Sequence, residues 1–201
     1  MSNNRSDLIA GHPIYQVDFS RLDEHRDYRG SFTEVFQQHW GTGLDAVQWS
    51  VVKSGAEVFR GMHLHLRHDE YFSLLNGHCL VALKDVRPDS PTRGVFSLYE
   101  LHEDDLAAIT FPRGLLHGWY FFRPSLHLQA VSEAYCDYHG DDNHGVHWSA
   151  PDLGIPWPFT KTLLSARAGD FTTEAALLGS LTDWPPCAEN FGRNLAEAAP
   201  R

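Results

Sequence analysis

A chain of 201 residues, 42% hydrophobic and 21% charged, is long enough to bury one proper core and has an ordinary globular composition. Its formal net charge of -10 excludes a general electrostatic grip on nucleic acid, and no apolar run approaches the ~20 residues that a membrane-crossing helix needs. Cys79, Cys136 and Cys187 are too few and too scattered for a disulfide framework or a thiolate metal site. With no export signal in Met1 to Gln16, a soluble cytoplasmic protein is expected.

The predicted elements are mostly short strands. Ile14 to Val17 reads as the first, and Gly30 to Phe36 alternates apolar with polar after a turn at the glycine. Val47–Lys53 and Val58–Leu66 follow, separated by a Ser54-Gly55 turn. The pattern continues from Tyr71 to Leu75, and Asn76-Gly77 reads as a hairpin turn. Cys79–Val86, Gly94–Leu101, Ala107–Phe111, Trp119–Phe122 and Leu126–Val131 complete the series. Strands at such short intervals, without helices between them, predict an antiparallel sandwich or barrel, an all-β fold. Tyr138 to Gly145 reads as a polar loop, and Trp148 to Pro158, with three prolines, as an extended arm. A helix is expected from Thr173 to about Leu181, capped by Thr172 and stopped before Pro185-Pro186. The last fifteen residues are weakly patterned and expected to lack order.

Two segments carry the chemistry. Arg60 to Gly77 contains H-x-H-x4-E-x6-G, and Pro112 to His117 reads P-x-G-x-x-H. His63 and His65, two apart on a strand, share a face. Glu70 and His117 can reach the same pocket in a rolled sheet, and three imidazoles with one carboxylate make a coordination set for a divalent transition metal such as Fe, Mn, Ni or Zn. Without a partner, a carboxylate there would cost several kcal/mol. With 13 histidines in the chain, most are expected on the surface or in packing roles; His68, His139, His144 and His147 are expected mostly on the surface, although His68 could line the entrance. Asp141-Asp142 is expected in a solvated loop, and at least half of Trp119 to Phe122 in the core. Arg29 and Arg60 suit either a diphosphate clamp or a surface salt bridge.

The two segments resemble the two cupin motifs, and the wider chain resembles the dTDP-4-dehydrorhamnose 3,5-epimerase family from about Asp27 to Arg167. The likeness rests on Arg29-Gly30-x-Phe32-x-Glu34, Val47-Gln48, Arg60-Gly61-Met62-His63, Asp89-Ser90-Pro91-Thr92-x-Gly94, Pro112-x-Gly114-x-x-His117-Gly118 and Trp148-x-x-Pro151-x-Leu153-x-Ile155-x-Trp157-Pro158. It implies a cupin jelly roll over 27–171, preceded by an arm (1–26) and followed by a helix and tail (172–201). It further implies a homodimer, no organic cofactor, and proton exchange beside the keto group of a nucleotide-linked 4-keto-6-deoxy sugar. On this resemblance His63 is the base and His117 the second histidine. Arg29, Glu34, Gln48 and Arg60 contact the nucleotide and diphosphate, and Tyr135 is the aromatic near the base.

The departures fall on the chemistry. Where the family has a glutamine, a lysine and a tyrosine acid, this chain has His65, Glu70 and Gln129, and Gln129 then lines the substrate site. The family's base-orienting aspartate aligns with Ala168, and Asp170 lies two residues on. Two of these replacements complete the metal set. The expected activity is therefore an epimerase or isomerase with possible metal assistance. A metal-dependent dioxygenase or lyase, and a non-catalytic sugar-nucleotide binder, are the alternatives.

Overall fold

The computed structural model describes residues 7–187 and Phe191. Thirteen strands build two stacked antiparallel sheets and a separate hairpin. They are β1 (Leu8–Gly11), β2 (Asp18–Arg21), β3 (Glu24–Asp27), β4 (Gly30–Thr33), β5 (Gln48–Ser54), β6 (Phe59–Leu64), β7 (Glu70–Asn76), β8 (His78–Asp85), β9 (Phe96–His102), β10 (Ala107–Phe111), β11 (Leu115–Phe121), β12 (Ser125–Val131) and β13 (His144–Gly145). One sheet runs β1-β9-β8-β11-β6-β13 and the other β2-β10-β7-β12-β5, while β3 and β4 pair alone. This is the all-β sandwich that the strand spacing predicts.

The core lies between the sheets, where Phe72, Leu74, Val81, Leu83, Ile109, Phe111, Trp119 and Phe121 pack together. The outer face of the six-stranded sheet is covered too. Phe59, Met62, Leu80, Leu98 and Tyr120 meet Leu153, Ile155 and Leu177 from the C-terminal third. A sheet buried on both faces needs apolar residues on both sides of each strand, which is why β8 and β11 read as continuous apolar runs rather than alternating ones. Lys84 holds this cover in place: its ammonium donates to the carbonyls of Asp152 and Leu153 and to Glu174.

Three helices are short: α1 (Tyr135–Tyr138), α2 (Ala166–Gly169) and α3 (Glu174–Ser180). The cap of α3 is Thr173, whose side chain accepts from Ala176 N, one residue later than Thr172. Asp152 adds a carboxylate that accepts from Ala175 N at 2.8 Å, so the helix start is fixed from outside as well.

Other expectations change. Ile14 to Val17 is a turn, and residues 1–26 contain β1 and β2, edge strands of the two sheets, with β3 completing at Asp27. Asn76-Gly77 does not close a hairpin: β7 pairs with β10 and β12, and β8 with β9 and β11. The turn instead carries the chain from one sheet to the other. Gly77 manages this with φ of 109° and a backbone pressed against Ser125, whose Oγ would lie 2.0 Å from an added Cβ. The expectation for the last fifteen residues falls almost wholly outside the described residues.

Candidate functional site

A cavity of about 730 Å3 is lined by residues of β5, β6, β11 and β12, with Tyr138, Asn143 and the segment around Arg167. β6 and β11 pair so that His63 and His117 stand directly opposite each other, next to a bulge between His117 and Trp119. His65 follows β6, and Glu70 opens β7 in the other sheet. The site therefore draws its donors from both layers.

The imidazoles of His117, His65 and His68 surround one carboxylate oxygen, and His63 is not among them. Glu70 Oε1 lies 2.9 Å from His117 Nε2, 3.5 Å from His65 Nε2 and 3.9 Å from His68 Nε2. Gln129 Nε2 donates to the other carboxylate oxygen at 2.8 Å. Despite its proximity to His117, Oε1 has no aligned hydrogen-bond donor, and His117 Nε2 has no aligned partner either, among the described residues. Donor atoms of His63, His65 and His117 lie within 4.8 Å of one another, as do those of His65, His68 and Glu70.

Charge and burial compete strongly here. Burial alone would raise the Glu70 carboxyl, but the imidazoles of His117, His65 and His68 hold it far below the usual range. Burial would lower His117, yet Glu70 outweighs it and raises the ring. Burial lowers His65 to about 4. His63 falls well below its usual value through burial, then through His117 and His65. A neutral His63 has a free lone pair, and its ring sits edge-on to Phe171 with centroids 5.9 Å apart.

Arg60, Gln48, Gln129 and Arg167 also line the cavity. Arg60 Nε donates to Ser54 Oγ at 2.8 Å, which aims the guanidinium along the wall. Ala168 lines the cavity, so the position that aligns with the family's aspartate carries no carboxylate, and Asp170 forms the exposed end of α2.

Three expected contacts lie outside the cavity. Arg29 sits at the tip of the β3–β4 hairpin, exposed and paired with Asp27. Glu34 lines a separate recess with Phe36, Trp40 and Tyr71. Tyr135 is half exposed, and its backbone N–H donates to Gln48 Oε1 at 2.9 Å. The ring that does reach the cavity is Tyr138, stacked on His68 at 4.9 Å.

Asp142 corrects the reading of a solvated loop and His68, which lines the cavity, that of a mostly surface position, since each is only 2% exposed. Asp142 accepts from the backbone of Leu66 and Arg67 and lies 3.1 Å from His68 Nδ1. A carboxylate that satisfies two backbone N–H groups of a segment folding over it is dragged inside with that segment. Arg167 lines the cavity without being among the expected contacts, and its place in Ser165-Ala166-Arg167-Ala168, the segment aligned with the family's motif, is the signal that points to it.

Comparison with known proteins agrees with this architecture. The family model described as dTDP-4-dehydrorhamnose 3,5-epimerase matches residues 12–173. A spore coat polysaccharide biosynthesis protein of Bacillus subtilis, SpsL, is 29% identical over 149 residues, covering 70% of this chain and 94% of that protein. The dTDP-4-dehydrorhamnose 3,5-epimerase of Escherichia coli K12 is 27% identical over 146 residues, covering 69% and 78%. Among solved structures, ChmJ, a 3'-monoepimerase of Streptomyces bikiniensis in complex with dTDP-quinovose, superposes with a TM-score of 0.74 at 26% identity, covering 83% of this chain and 88% of ChmJ.

Proposed function

The chain belongs to the dTDP-4-dehydrorhamnose 3,5-epimerase family, and we propose that it epimerises a nucleotide-linked 4-keto-6-deoxy sugar as a cytoplasmic homodimer. The observation that carries this reading is the half-buried imidazole of His63, opposite His117 in a cavity walled by Arg60 and Arg167. The two guanidiniums suit a diphosphate, and Gln48 and Gln129 offer amide groups for hydroxyls or carbonyls of the ligand. His63 takes the proton from the carbon beside the keto group. Tyr138, at the cavity wall against His68, is the hydroxyl available where the family's tyrosine is replaced by Gln129.

The residues fit a divalent transition metal. Glu70 Oε1 and His117 Nε2 lie 2.9 Å apart and form an ion pair when the ring is protonated; with the ring neutral the same two atoms are free to ligate a cation. His65, Glu70 and His117 would hold it, with His63 as a fourth donor only if His63 is not the base. When bound, such an ion supplies Lewis acidity toward the oxygen of an enolate, the need served elsewhere in the family by lysine. The same donor set favours a second reading, a metal-dependent dioxygenase or lyase acting on another small molecule.

Arg29 and Glu34 support the homodimer indirectly. Both stand away from this protomer's cavity, on or beside a hairpin that exposes Tyr28 (97%) and Phe32 (63%). A hairpin with apolar side chains in water is suited to crossing onto a second copy, where Arg29 would complete that copy's diphosphate site.

The test is incubation with dTDP-4-keto-6-deoxyglucose in deuterated water. Deuterium should enter at a carbon flanking the keto group, and His63→Asn should slow entry by about a thousandfold. Oxygen consumption or C–C cleavage without deuterium entry would replace the epimerase with the second reading.

A further inference from the structure

A second cluster of metal-binding side chains lies outside the cavity, on the outer face of the six-stranded sheet. β8 and β9 pair with His78 opposite His102 and Leu80 opposite Glu100. Residues two apart on a strand share a face, so Glu100 and His102 project to the side that His78 occupies. The three donor atoms lie within 4.8 Å of one another. Both imidazoles direct Nε2 at the same oxygen: Glu100 Oε1 is 2.8 Å from His78 and 3.8 Å from His102.

We propose that His78, Glu100 and His102 bind a divalent transition-metal ion of the zinc class, separately from the central cavity. Two imidazoles and one carboxylate, with further positions left open to water, are a known composition for such ions. The donors are preorganised. The rings of His78 and His102 stack at 4.1 Å with 20° between their planes, and Phe122 covers the other face of His78 at 4.2 Å. All three stand on paired strands rather than loops, which fixes their spacing before an ion arrives. Side-chain exposures of 22%, 31% and 28% leave a path for the ion and its waters. The neighbouring acid, Glu103, is occupied by Asn76, the backbone of Gly77 and Arg123, so it is not a fourth donor. A hydrogen bond from His78 to Glu100 accounts for one of these contacts. Stacking on His78 holds the His102 ring beside the same oxygen.

The bound ion would clip β8 to β9 beside the turn that links the sheets. This site stands whether or not the chain is an epimerase.

Chelator-stripped full-length protein is titrated with Co2+, followed by visible absorption, and with Zn2+, followed by calorimetry and thermal midpoint. A site outside the cavity predicts that the His65→Asn/His117→Asn double variant keeps a Co2+ ligand-field band and a Zn2+-dependent rise in midpoint. On that double-variant background, His78→Asn or Glu100→Gln should weaken Co2+ binding at least tenfold. Glu100→Gln preserves shape and hydrogen bonding, so its loss of binding cannot be ascribed to misfolding. Absence of Co2+ and Zn2+ binding in the double variant, or binding that survives both single substitutions, overturns the proposal.

Discussion

His127 is fully buried on β12 against Phe72 and Phe121, and neither ring nitrogen has a hydrogen-bond partner among the described residues. Burial lowers its pKa to about 3. The folded protein thus keeps this ring neutral while the unfolded chain protonates it below about 6.5. Its contribution is fully present above that value and is lost as pH falls from there toward 3. Between pH 7 and pH 5 the loss is about 2 kcal/mol, and His127→Phe should abolish that part of the acid sensitivity in urea titrations at the two pH values. Glu70 makes the complementary case. Glu70→Gln should lower the thermal midpoint of metal-stripped protein at neutral pH, because it takes from the buried His117 ring the carboxylate that raises it, and should cut metal content measured by mass spectrometry to background. An unchanged metal content would remove Glu70 from the donor set. His63, His65, Glu70 and His117 could be found from sequence because strand periodicity and two motifs constrain them. His68 and Asp142 could not. Their burial depends on how residues 138–145 fold back onto Leu66 and Arg67, a long-range event that no local pattern records.

At the level of elements, β6 and β11 cross more closely than side chains permit. A Cβ on Gly118 would meet Phe59 Cζ at 2.8 Å and both Arg60 O and Met62 Sδ at 3.0 Å, and one on Gly61 would meet Gly118 Cα at 2.5 Å. The contact sits beside His117 and His63, so it sets their separation. Gly118→Ala should cost about 1–3 kcal/mol in urea denaturation, and should lower deuterium entry more than the stability loss alone would. At the other end of the chain, Thr173→Ala removes the cap of α3 and should cost about 1 kcal/mol. Strand positions were legible where strands are long: β10 is found at Ala107–Phe111 and β12 within one residue of its start. β1 and β2, four residues each, have too little pattern to detect. The supposed hairpin at Asn76-Gly77 shows a different limit. A turn motif announces a reversal, but the choice of partner strands is settled by which faces must be buried.

On the scale of the whole molecule, β5 forms one edge of the five-stranded sheet and leaves Trp49 and Val51 exposed, with Val47 just before it. Together with Tyr28 and Phe32 this is apolar surface of the kind that a second copy covers. Val51→Lys should convert a dimer to monomers by light scattering, and should weaken substrate binding if Arg29 acts across the interface. A wild-type monomer in that measurement would sink the homodimer. Glu70 rides on one layer of the sandwich, and His117 and the strand that leads into His65 on the other. An ion seated among them would act as a rivet through both plates. Withdrawing it should let the mouth breathe, with amide protons of β7 and β11 exchanging faster in concert while those of β8 and β9, beneath the C-terminal cover, keep their pace.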